Sequence, residues 1–177
     1  RKNKVSFLSL KFFIFMPAVM ILYFAARRRE KETAAKAVLI LASMIFFAMY
    51  GAESFLILLA SSVFNLLYSR VLLKNKMPVL LAVGIVVNVL PLLAFKYLNF
   101  FAENITRLAG GQFTAIDILQ PVAISYYTFQ MITWTVDSYR GETKDVGVLD
   151  FLAYVWFFPR MILGPITRHE EFVPQLN

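Results

Sequence analysis

Four runs of apolar residues mark the first half of the chain, roughly 8–26, 37–50, 54–73 and 77–95, separated by short polar or charged breaks. A hydrocarbon layer takes about 20 helical residues to cross, so the pattern predicts four membrane helices. The second run is the shortest and predicts a span completed by distortion or by neighbouring helices. Pro17 and Pro91 interrupt runs, which packed neighbours tolerate in a membrane. Asn65 and Asn88 also fall inside runs and are expected to hydrogen-bond between helices rather than to form a site. After FKYLNFF (95–101) the chain turns polar and passes Gly110-Gly111, which reads as a loop or interfacial stretch. Residues 114–117 (TAID) resemble a helix start with Asp in place of Glu or Gln. Pro121 suits the first turn of the helix that follows.

That next helix carries the first unusual chemistry. In VAISYYTFQMITWTVDSYRGE (122–142), Tyr126, Gln130, Thr133, Asp137 and Arg140 are spaced by four, three, four and three residues. On an α-helix this spacing is one face. A lone Gln or Asp in a bilayer core costs about 2–3 kcal/mol or more, so an aligned row predicts a face turned to other helices or to a water-filled cavity. Asp137 and Arg140 are expected to pair near one end. The stripe reads either as packing glue with an interfacial anchor or as the lining of a tunnel for a polar or acyl substrate.

The second informative segment is FLAYVWFFPRMILGPITRHEEFVPQL (151–176). Pro159, Gly164 and Pro165 do not fit one straight helix. In lipid the freed backbone groups need internal partners, which predicts a broken or re-entrant element buried in protein. Arg160 and Arg168 lie eight residues apart, on roughly one face if the helix persists. They suit either a phosphate-bearing donor or lipid headgroups.

Composition sharpens the picture. Hydrophobic residues make up 59% of the chain and Phe occurs 18 times, more than a soluble core of this size needs. The charge of +7 comes from 18 basic and 11 acidic residues. The basic residues cluster between apolar runs, in RRREKETAAK (27–36) and RVLLKNK (70–76), so a membrane surface is the expected partner and nucleic acid is not. GAES (51–54) has no basic residue, which places the two basic loops inside and this loop outside; the basic RKNK start and Lys11 argue the other way. The first run ends in RRR without a small-residue cleavage site and reads as a retained span rather than a signal peptide. With no cysteine, disulfides, thiolate metal sites and Cys nucleophiles are excluded. The expected fold is all-α: a polytopic integral membrane helical bundle, multi-pass in the cell (inner or plasma) membrane, with a broken or re-entrant helix near its C-terminal end. Residues 1–177 read as a single membrane domain.

Together, PVAISYYTFQMITWTVDSYRGE (121–142) and FFPRMILGPITRHEEFVPQL (157–176) resemble the membrane-bound O-acyltransferase family, and its bacterial polysaccharide branch most. FLSLKFFIFMPAVMILYF (7–24) and FKYLNFF (95–101) add weaker support. The resemblance implies a many-helix enzyme that moves an acyl group, acetyl in this branch, from a thioester donor such as acetyl-CoA to a glycan hydroxyl. It implies no bound cofactor and no metal. It implies an extracytoplasmic acyltransferase partner, a buried catalytic histidine, and this chain as the N-terminal part of a longer O-acyltransferase domain.

Here the chain departs from the family pattern. Its one histidine, His169, stands among charges in TRHEEF and is expected on a solvated loop. The catalytic histidine is expected beyond the chain end, and the isolated 177 residues are expected to be inactive. Ser125 has no base at suitable spacing and reads as helix packing. The chamber candidates are therefore Tyr126, Gln130, Thr133, Asp137, Arg140, Arg160, Gly164, Pro165 and Arg168. A non-catalytic scaffold for a partner enzyme and a transporter fragment remain the alternatives. A transporter predicts repeat symmetry between halves, and none is visible in the sequence.

Overall fold

The computed structural model describes residues 10–28, 32–118, 120–164 and 167–176. Every regular element among them is helical: α1 (Leu10–Arg27), α2 (Glu32–Tyr50), α3 (Ala52–Lys74), α4 (Pro78–Leu92), α5 (Leu98–Leu108), α6 (Ile124–Arg140), α7 (Val148–Trp156), α8 (Phe158–Leu163) and α9 (His169–Phe172). Residues 32–49, 52–74 and 78–108 are each long and apolar enough to cross a membrane, and α1 is a shorter apolar helix. The chain is a membrane protein built as a helical bundle.

The second span is not short. Its helix begins at Glu32, five residues before the apolar run, because Lys36 is neutralised where it is buried: its Nζ lies 2.7 Å from Asp150 Oδ1 at the start of α7. The fourth run also extends further than expected. A π-helical turn, Leu93–Tyr97, follows Pro91 and joins α4 to α5. Proline lacks an N–H and crowds the preceding turn, and a local change to π spacing absorbs such a fault without ending the helix. Residues 102–108, expected as part of a loop or interfacial stretch, are therefore helical.

The stretch 111–118 has no regular structure, and no helix starts at 114–117. Instead, Asn99 of α5 clips the chain. Its Nδ2 donates to Ile116 O at 2.8 Å, and Ile116 N donates back to its Oδ1 at 3.1 Å. Helix α6 begins only at Ile124, three residues after Pro121, and Ala123 at its N-cap is left-handed with φ 58. The Val122 N–H is satisfied by Ser54 Oγ at 3.2 Å.

Helix α6 packs between α3 and α4, while α2 packs against α1, α3 and α7. A reciprocal amide pair locks α3 to α4: Asn65 Nδ2 donates to Asn88 Oδ1 at 2.7 Å and Asn88 Nδ2 to Asn65 Oδ1 at 2.9 Å. The Thr135 hydroxyl of α6 joins them, 3.1 Å from Asn65 Oδ1. The expected interhelical role of both asparagines is thus realised. Close approach at this junction needs Gly84, where a Cβ would lie 2.7 Å from Tyr68 and 2.8 Å from Thr135.

Candidate functional site: a re-entrant element on the polar face of α6

Helices α7 to α9 enter the bundle and leave it at the same end. Helix α7 starts beside the α2 N-terminus through the Lys36–Asp150 pair. After α9, Gln175 O lies 3.5 Å from Arg27 Nη1 at the end of α1. The turn between these limbs is deep. Phe158 N donates to Ser43 Oγ at 3.4 Å, and Trp156 Nε1 to Ser62 Oγ at 3.1 Å. Ser43 lies about 16 Å along α2 from Glu32 at about 1.5 Å per residue, roughly half of a 30 Å hydrocarbon core. The two serines also donate to Leu39 O and Leu58 O within their own helices, so each hydroxyl gives one hydrogen bond and receives one from the turn. Phe15, Phe46 and Phe158 pack as a ring cluster around it.

The returning limb breaks where the sequence predicts. Helix α8 ends at Gly164, whose N–H bonds to Arg160 O at 2.9 Å. A Cβ there would meet Arg160 Cα and O at 3.2 Å, so the glycine permits the tight exit. Pro165 lies outside the described residues. Arg160 and Arg168 do not share a helical face, because the break separates them. The Arg160 guanidinium lies over the rings of Phe172 (4.2 Å) and Tyr154 (5.7 Å), whereas Arg168 is exposed.

The polar stripe of α6 is split along its length. At about 100° per residue, Gln130 and Asp137 lie to one side of Tyr126 and Thr133 and Arg140 to the other. The first side packs on the re-entrant element: Gln130, 1% exposed, donates from Nε2 to Tyr154 O at 2.7 Å. Thr133 instead bonds to Phe129 O of its own helix, and Arg140 is exposed. The expected Asp137–Arg140 pair does not form. Asp137 Oδ2 lies 3.1 Å from His169 Nδ1, and both side chains are buried.

His169 is therefore not on a solvated loop. It is 3% exposed, has Nε2 3.3 Å from Glu142 O, and is flanked edge-on by Trp134 and Tyr154. One signal was present in the sequence: a carboxylate on a buried helix face needs a cationic or protonated partner. Ser125 also has a basic neighbour that linear spacing did not reveal. Lys96 Nζ, on the π-helical turn, donates to its Oγ at 3.1 Å.

Several buried polar atoms on these facing surfaces have no hydrogen-bond partner among the described residues: Tyr126 Oη, Gln130 Oε1, Asp137 Oδ1, Arg160 Nη1 and Nη2, and Thr167 Oγ1. Buried polar groups are normally paired. Those on α6, with Arg160 beside Tyr126, lie along the boundary between α6 and the re-entrant element, and Arg160 and Thr167 also line a cavity toward α1.

Comparison with known proteins agrees with the motif resemblance. The chain is 31% identical over 175 residues to a probable alginate O-acetylase from Pseudomonas aeruginosa, covering 93% of this chain and 33% of that protein. It is 28% identical over 196 residues to a peptidoglycan O-acetyltransferase from Helicobacter pylori, covering 93% and 37%. A teichoic acid D-alanyltransferase from Lacticaseibacillus rhamnosus is 32% identical over 77 residues, covering 41% of this chain and 19% of that protein. The chain thus spans about a third of the length of the curated O-acetylases it matches. No protein-family profile matches it, and no solved structure does. Over most of its own length the chain is thus similar to polysaccharide O-acetyltransferases, in keeping with the resemblance of its two motif blocks.

Proposed function

We propose that this chain is part of a membrane O-acetyltransferase that moves an acetyl group from a thioester donor, acetyl-CoA or a carrier-bound acyl group, to a hydroxyl of an exported polysaccharide or cell-wall glycan. The observation that carries this reading is the likeness to alginate and peptidoglycan O-acetylases over 93% of the chain. The polar contact between α6 and a half-depth re-entrant element supports it, because acyl transfer needs a site from which water is kept out.

In the reaction, a base takes the proton of the acceptor hydroxyl and the oxygen attacks the thioester carbonyl. The C–S bond then breaks and the thiolate leaves. His169 is poorly placed as that base, since both its nitrogens already face Asp137 and Glu142. We assign the base to a histidine elsewhere in the longer protein. Gln130 and Asp137 then hold the chamber wall, Tyr126 and Arg168 complete its polar lining, and Gly164 shapes the turn. We place the enzyme in the inner membrane, with the basic loops cytoplasmic and an extracytoplasmic acyltransferase completing transfer to polymer.

The test is acetyl transfer by the full-length protein in membranes, with Gln130→Ala and Arg168→Ala. Each is expected to lower the rate about tenfold or more, equivalent to about 1.4 kcal/mol in the barrier, with insertion unchanged. Wild-type rates in both variants would remove these residues from the chamber.

A further inference from the structure

A cavity of about 430 Å³ lies between α1, α2 and the returning limb of the re-entrant element. That volume falls within the range of small-molecule sites. Its walls are hydrocarbon and aromatic, including Met16, Val19, Met20, Phe24, Leu39 and Phe157. Arg160 and Thr167 interrupt them, and Tyr23, Glu171 and Gln175 add further polar groups. The Arg160 Nη1 and Nη2 atoms and the Thr167 hydroxyl are buried without a well-formed hydrogen bond among the described residues; the Tyr126 hydroxyl of α6 stands beside the guanidinium but offers it no anion. The rings of Phe172 and Tyr154 hold the guanidinium in place but accept none of its N–H hydrogens. A buried cation is tolerated only when paired. The cavity therefore joins an apolar sleeve to a set of donors suited to an anion.

We propose that this cavity binds an anionic phospholipid, with one acyl chain along the α1 wall and its phosphate oxygens accepting hydrogen bonds from Arg160 and Thr167. Tyr154, whose ring lies beneath Arg160, is about one helical turn along α7 from Asp150, whose partner Lys36 stands one turn inside α2. A headgroup reaches this depth through the mouth between α1 and the returning limb. The mouth carries Arg27, which reaches Tyr23 Oη at 2.9 Å and Gln175 O at 3.5 Å. Glu171 also stands there, exposed to solvent. The walls distinguish this ligand from an acyl thioester on a pantetheine arm. That arm brings amides along its whole length, and the methionine, valine, leucine and phenylalanine side chains of the sleeve offer them no partner, the polar groups being Arg160 and Thr167 with Tyr23, Glu171 and Gln175. The site requires only that the protein sit in a membrane, so it stands apart from the acetyl-transfer reading.

The test uses delipidated full-length protein in detergent, titrated with phosphatidylglycerol or phosphatidylcholine and read by native mass spectrometry. Phosphatidylglycerol is expected to bind about tenfold or more tightly than phosphatidylcholine, or about 1.4 kcal/mol. Arg160→Gln should erase that preference. Met20→Trp fills the cavity from an exposed position and leaves Arg160 intact, so it should lower binding of both lipids and keeps the test decisive if Arg160→Gln does not fold. Excess acetyl-CoA should displace neither lipid. Equal binding of the two lipids by the wild type, unchanged binding in Met20→Trp, or displacement by acetyl-CoA would each overturn the proposal.

Discussion

The Asp137 carboxylate and the His169 imidazole meet at 3.1 Å in the protein interior, joining residues 32 positions apart in the chain. Asp137 lies near the C-terminal end of α6 and His169 opens α9. With Nε2 facing the Glu142 carbonyl as well, the ring ties the returning limb to both α6 and the turn that follows it. This contact decides how the re-entrant element closes.

Breaking it leaves one buried polar partner stranded. His169→Ala or Asp137→Ala should each cost about 3 kcal/mol or more, as for other buried pairs that lose one member. Replacing both residues with leucine should cost less than the sum of the two single losses. Unfolding of the detergent-solubilised protein measures the energies. Limited proteolysis between α8 and α9 should accelerate in the single variants; additive energies and unchanged cleavage would argue against a latch.

The asparagine pair makes a second test. Asn65→Leu and Asn88→Leu should each lower stability by about 1 kcal/mol, the scale of interhelical hydrogen bonds in membranes. The double variant should recover part of that loss, because no amide then remains unpaired. A double-mutant cycle in the same unfolding assay reads the coupling directly.

Gly84→Ala tests packing alone. The added methyl would stand 2.7 Å from Tyr68 Cε1 and 2.8 Å from Thr135 Cγ2, where helix α4 meets α3 and α6. Overpacking of this kind costs about 1–3 kcal/mol. A midpoint of thermal unfolding equal to wild type would mean that the three helices can separate freely there.

Lys36 and Asp150 test the entry of the re-entrant element. Lys36→Met should destabilise by about 2 kcal/mol, less than a fully buried pair because Asp150 retains some solvent contact. The exchange Lys36→Asp with Asp150→Lys should recover much of the loss. Failure of the exchange to improve on Lys36→Asp alone would show that the contact is not chiefly electrostatic.

The sequence by itself determined the helical class, the positions of the apolar runs though not their helical limits, the interhelical role of Asn65 and Asn88, and the break at Gly164. Each rests on a local rule: helical period, hydrocarbon thickness, or the need to satisfy backbone groups in lipid. The same rules singled out α6 as a helix with a polar face, and the two motif blocks carried the family resemblance.

Tertiary structure alone decided which half of that face is buried, because the period sets Gln130 and Thr133 on opposite edges of one stripe and only what packs beside them tells the edges apart. It decided that Asp137 pairs with a distant histidine rather than with Arg140 one turn away. It also decided where helices begin and end: Lys36 enters α2 because Asp150 neutralises it, and Asn99 holds 116 out of a helix. Pairing of charges and amides across the fold depends on contacts between segments far apart in the chain, and no local period encodes them.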